Sequence, residues 1–60
     1  MDRKPYFYIF LDRAGEWRWT LYGANHEPVA TSEGYTTKSS AERSAYRVRE
    51  IAHDAVVIYA

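Results

Sequence analysis

The chain closes on AVVIYA, residues 55 to 60, a segment whose side chains are apolar on both faces of any strand it forms. Neither a charge nor a proline guards it, so on an open sheet edge it is an aggregation hazard. It has to be inserted against something. The rest of the chain offers little cover, because a 60-residue domain buries only about 60% of the surface its unfolded form exposes, and a core of that size is marginal. Disulfides, a structural metal or a second subunit are the usual supplements. The sequence has no cysteine, which removes disulfides and thiolate metal sites together. His26 and His53 are too far apart in sequence to form a local ligand pair. No cofactor or metal is expected, and association with a second copy is the leading supplement.

Eight Lys and Arg residues balance eight Asp and Glu, so the whole-chain field gives no reason to expect nucleic acid or an anionic membrane as partner. No apolar run approaches the length of a membrane-spanning helix, and MDRKPYFYIF lacks the pattern of a cleaved signal segment. The expectation is a soluble cytoplasmic protein that does not contact membrane.

Along the chain the period of the apolar residues sets the elements. Residues 6–12, YFYIFLD, are rich in strand formers and too short for a helix; one face carries Phe7, Ile9 and Leu11, the other Tyr6, Tyr8 and Phe10. Asp12-Arg13-Ala14-Gly15 is a connection of hairpin length. Residues 16–23 then alternate, with Trp17, Trp19 and Leu21 on one side and Glu16, Arg18, Thr20 and Tyr22 on the other. A turn at Gly23-Ala24-Asn25-His26-Glu27 leads into a weaker strand over 27–33, where Pro28 lacks the N–H a ladder needs. From about Lys38 the period becomes helical: Ala41, Ala45, Val48 and Ala52 form one stripe over residues 38–52. Two helix starts compete, Thr37 as N-cap or Ser39 as N-cap with Glu42 completing a capping box. A last strand over about 55–59 completes a β-β-β-α-β order, an α+β unit. The alanine stripe brings the helix close to its sheet, so the expected core is Phe7, Ile9, Trp17, Trp19, Leu21, Ala41, Ala45 and Val48. The connection after the helix is so short that the tail Val56, Val57, Ile58 and Tyr59 can reach a neighbour as readily as its own sheet.

Two groups of residues invite a functional reading. The face opposite the helix, with Tyr8, Phe10, Arg18 and Tyr22, is an aromatic platform carrying an arginine, the kind of surface that stacks single-stranded nucleic acid or docks a protein. Cross-strand aromatic pairing is the plainer account. Arg43, Arg47 and Arg49 with Lys38 give the helix a basic character, a solvated face in the first instance and a phosphate-binding surface in the second. Ser39, Ser40 and Ser44 are explained by helix capping, and His53-Asp54 by the preference of a helix C-terminus for a cationic histidine. The chain holds no nucleophile with its base and no paired carboxylates, so it is not expected to be an enzyme.

Asp12, Gly15-Glu16-Trp17-Arg18-Trp19, Ala24-Asn25, Ala30-Thr31-Ser32-Glu33-Gly34-Tyr35 and Thr37-Lys38 together resemble the signature of the YegP-like family, small domains of unknown function that occur singly or in tandem. The resemblance runs from about residue 7 to residue 50, over a dozen or more positions in order and spacing. It implies a homodimer in which two units form one continuous sheet, with the helices on one face and the C-terminal strands exchanged, so that Val56, Val57, Ile58 and Tyr59 make the dimer interface. It implies no biochemical activity. His26 departs from the pattern, standing where the family has glycine, as does Pro28 in the third strand; Tyr8 and Leu11 fill positions often polar in relatives.

Overall fold

The computed structural model describes residues 3–60. Three antiparallel strands, β1 (Tyr6–Leu11), β2 (Trp17–Tyr22) and β3 (Pro28–Thr31), lie in the order β1-β2-β3, and one helix, α1 (Lys38–Asp54), packs against β2 and β1. Each strand is shorter than the apolar pattern suggests, because the turns take the end residues. In the first hairpin the Asp12 carboxylate accepts hydrogen bonds from the N–H groups of Ala14 and Glu16, both at 2.9 Å. Gly15 supplies the left-handed step at φ 81°, a conformation that glycine adopts without steric cost. In the second turn His26 takes that role at φ 65°, and its Nδ1 lies 3.0 Å from the Tyr6 hydroxyl.

β3 ends early for a specific reason. The Trp19 N–H is met at 2.9 Å by the Ser32 hydroxyl oxygen, while the Ser32 N–H donates to the Trp19 carbonyl. A side chain thus stands in for a main-chain acceptor, and the freed Ser32 carbonyl accepts from Arg18 Nη1 at 3.0 Å. Pairing resumes at Tyr35, which exchanges both main-chain hydrogen bonds with Trp17. Between them Gly34 passes under the Glu16 side chain, where a β-carbon would collide with it.

The cross-strand pairs Phe7 with Leu21 and Ile9 with Trp19 face α1. Trp19 is the centre of the core: it is buried, packs edge-on against Phe7 at 5.1 Å, and lies with Ala41 and Ala45, the two buried helix residues. The absence of larger side chains on that stripe is what lets the helix approach. Thr37 is the N-cap, its hydroxyl accepting from the Ser40 N–H at 3.1 Å; the Ser39 start is not used. Ser44 is a helix-to-sheet tie, not a cap. Its hydroxyl oxygen accepts from Trp19 Nε1 at 3.0 Å and from the Tyr35 hydroxyl at 2.9 Å.

Two expected features depend on how much a single chain covers. Phe7, Ile9, Trp17, Leu21 and Val48 are half-buried within one chain, not buried, since a single 17-residue helix covers only part of a three-stranded sheet. The strand expected over about 55–59 does not form within the chain. The helix runs to Asp54 and Ala55 turns directly into extended backbone, leaving no loop to fold the tail back, and residues 55–60 lie exposed.

Candidate functional site

The open face of the sheet is built by the strand alternation that turns Trp19 inward. Tyr6 opposes Tyr22, Tyr8 opposes Thr20 and Phe10 opposes Arg18, so Tyr8, Phe10, Arg18 and Tyr22 share one face as the sequence predicts. The rings are engaged with one another: Tyr6 stacks on Tyr22 at 5.2 Å and Tyr8 on Phe10 at 5.7 Å. Tyr8 remains 55% exposed, uncovered by the helix on the far side.

Arg18 is less free than its position suggests. Its Nε donates to Asp12 Oδ2 at 2.6 Å, its Nη1 to the Ser32 carbonyl, and Glu16 lies 3.9 Å from Nη2. The guanidinium hydrogen bond, helped by the Glu16 and Ala14 N–H groups, holds the Asp12 carboxyl below its ordinary pKa; the same hydrogen bond raises Arg18 above its own. The charge that a phosphate backbone would need is therefore already neutralised by a neighbour. What the face presents is aromatic surface with hydroxyl tips.

A second surface lies along the other edge of the sheet. β1 pairs with β2 on one side and, among the described residues, with nothing on the other. Beside that free edge runs a groove of about 350 Å³, lined by Pro5, Phe7 and Ile9 from the strand side and by Glu42, Ala45, Tyr46 and Arg49 from α1. Its floor is the half-covered part of the core. At the end of the helix stand Val56, Val57, Ile58 and Tyr59, 79%, 79%, 84% and 88% exposed. The chain thus carries an apolar tail without cover and an open groove whose strand side, Pro5, Phe7 and Ile9, is apolar and whose helix side carries Glu42 and Arg49.

No group of three His, Cys, Asp or Glu is placed to hold a metal ion among the described residues. His53 and Asp54 end the helix as exposed residues and make no side-chain hydrogen bond to each other. No helix of the described residues is long and apolar enough to cross a membrane. Sequence reasoning missed Ser32 and Ser44, whose hydroxyls organise the sheet and the helix; the signal available was the spacing of Ser32 and Tyr35 within one motif.

A family model described as a domain of unknown function (DUF1508) matches residues 12–58. UPF0339 protein NMB1088 of Neisseria meningitidis serogroup B is 49% identical over 39 residues, 65% of this chain and 70% of that protein. UPF0339 protein NMA1193/NMA1859 of serogroup A matches to the same extent. Among solved structures, the NMR solution structure of a protein from Haloferax volcanii superposes with a TM-score of 0.81 at 37% identity, covering 97% of this chain and 98% of that one.

Proposed function

The chain belongs to the DUF1508 family, the YegP-like domains its motif resembles, and from that premise we propose a small homodimeric interaction module that performs no chemistry of its own. Two chains exchange their tails, and the open aromatic face with Tyr8, Phe10, Arg18 and Tyr22 is turned to a protein partner. The observation that carries the assembly is the pairing of an uncovered tail with an unlidded groove at a free strand edge. An extended segment added to a strand edge completes the main-chain ladder and places alternate side chains in a pocket. Val56 and Ile58 of the partner then cover Phe7 and Ile9, while Val57 and Tyr59 extend the aromatic face beside Tyr8. This accounts for a tail that is apolar on both sides.

The energetics favour cover. Burying each of these large apolar side chains contributes about 1.5–3 kcal/mol, and a dimer buries two tails against an association cost on the order of 4–15 kcal/mol. Stacking of single-stranded nucleic acid on the same face is the weaker reading, because Arg18 is tied to Asp12 and the net charge is zero.

The test is isotope-filtered NMR on a mixture of labelled and unlabelled chains. Contacts from the Ile58 methyls to Phe7 and Ile9 of the other chain are expected, and Ile58→Asp should abolish them. If Ile58 contacts only its own chain, the exchange is wrong. For the face, Tyr8→Ala and Tyr22→Ala should change the set of proteins captured; an unchanged set makes that face purely structural.

A further inference from the structure

On the side of α1 facing Tyr35 lies a separate groove of about 320 Å³, lined by Tyr35, Ser40, Arg43, Ser44, Arg47 and Val48. Its two arginines have one property in common. Arg43 and Arg47, one helical turn apart, make no ion pair among the described residues, where Arg18 alone is bridged. No carboxylate lines the groove, and the first turn of α1 holds no acidic residue. The Ser44 hydroxyl is hydrogen-bonded to Trp19 Nε1 and to the Tyr35 hydroxyl, and Ser40 Oγ lies 2.8 Å from Thr37 Oγ1. Two guanidinium groups without an ion pair thus border one cavity, with two hydroxyls beside them.

We infer that this groove binds the phosphate of a small phosphomonoester. Residues four apart on a helix are neighbours, so both guanidinium groups can reach one anion, which removes their mutual repulsion. Arginine donates in bidentate fashion to phosphate oxygens, and a dianion balances the two positive charges. A tetrahedral group offers three free oxygens to this set of donors, where a carboxylate offers two. The Tyr35 ring and Val48 provide an apolar wall for the organic part of the ligand. A cavity at the small end of the range for ligand sites suits a metabolite-sized molecule better than a polymer. The site lies across the helix from the groove assigned to the tail and does not depend on tail exchange.

The experiment is a titration of the full chain, followed by amide and arginine side-chain NMR, with three probes: inorganic phosphate, phenyl phosphate and a single-stranded oligonucleotide lacking a terminal phosphate. Saturable shifts at Ser40, Arg43, Ser44 and Arg47 are expected with phenyl phosphate, with weaker binding of inorganic phosphate at the same residues. Arg43→Gln combined with Arg47→Gln should weaken phenyl phosphate at least about tenfold, corresponding to about 1.4 kcal/mol, with the rest of the spectrum unchanged. Arg13→Gln removes one positive charge from the first hairpin, outside the groove lining, and should leave binding intact. The inference is overturned if phenyl phosphate gives no saturable shifts at millimolar concentration, if Arg13→Gln weakens it as much as the helix substitutions do, or if the oligonucleotide binds the groove more tightly than the monoester.

Discussion

Asp12 engages both of its carboxylate oxygens: one closes the first hairpin on two N–H groups, the other holds Arg18. Because its pKa in the folded chain lies below the ordinary 3.8, the unfolded chain takes up a proton more readily as the pH falls. The stability Asp12 contributes is complete above that ordinary value and is lost as the pH drops through its folded-state pKa. Urea midpoints followed from neutral to strongly acid pH should fall in that window, and Asp12→Asn should lower the neutral midpoint and flatten the fall. An equally steep fall in Asp12→Asn would contradict the assignment. Gly34 makes a different test. Its place is occupied on one side by Glu16, so Gly34→Ala should destabilise wild type and cost measurably less in a Glu16→Ala background, with a coupling of about 0.5–3 kcal/mol as for residues in contact. Additive costs would place the strain in the backbone. Asp12 and Gly15 were legible in the sequence as turn residues. The work of Gly34 was not, because it depends on a side chain that meets it only after the sheet has formed.

At the scale of elements, the two-residue period of β2 and the alanine stripe of α1 announced both the inward face and a close helix, and Trp19, Ala41 and Ala45 lie where those patterns put them. The end of β3 was not legible. The sequence carried the third strand on to residue 33, whereas β3 ends at Thr31 and Ser32 meets Trp19 through its own N–H and its hydroxyl, an arrangement that depends on Trp19 being opposite. Ser44 was misread for the same reason, since its partners lie 25 and 9 positions away. It has a measurable consequence. Ser44→Ala leaves the Trp19 indole N–H and the Tyr35 hydroxyl without their acceptor and should destabilise by about 1–3 kcal/mol, partly offset by about 0.5 kcal/mol of better helix propensity. Ser39→Ala, exposed one residue into the helix, should be neutral or slightly stabilising. Urea unfolding of the two variants side by side separates them, and equal effects would deny Ser44 its role as the tie between helix and sheet.

For the whole molecule, one unit leaves Phe7, Ile9, Trp17, Leu21 and Val48 half-covered and its tail bare. The open aromatic face was legible from alternation alone; that its arginine would be neutralised by Asp12 was not, because the hairpin sets their distance. The proposal of a second copy rests on small size, on the exposed apolar residues Val56 to Tyr59 and on a sheet with a free edge among the described residues, three features that point the same way without sharing a residue. The groove proposed for the tail was not legible in the sequence, since it is formed beside β1 by strand and helix together. The central claim is that two chains complete one another. Light scattering coupled to size exclusion tests it most directly: the full chain should elute as a folded species of twice the 7.0 kDa chain mass, and a chain ending at Asp54 should elute at its single-chain mass. A cooperatively folded full-length species of 7.0 kDa that persists at high concentration would contradict it.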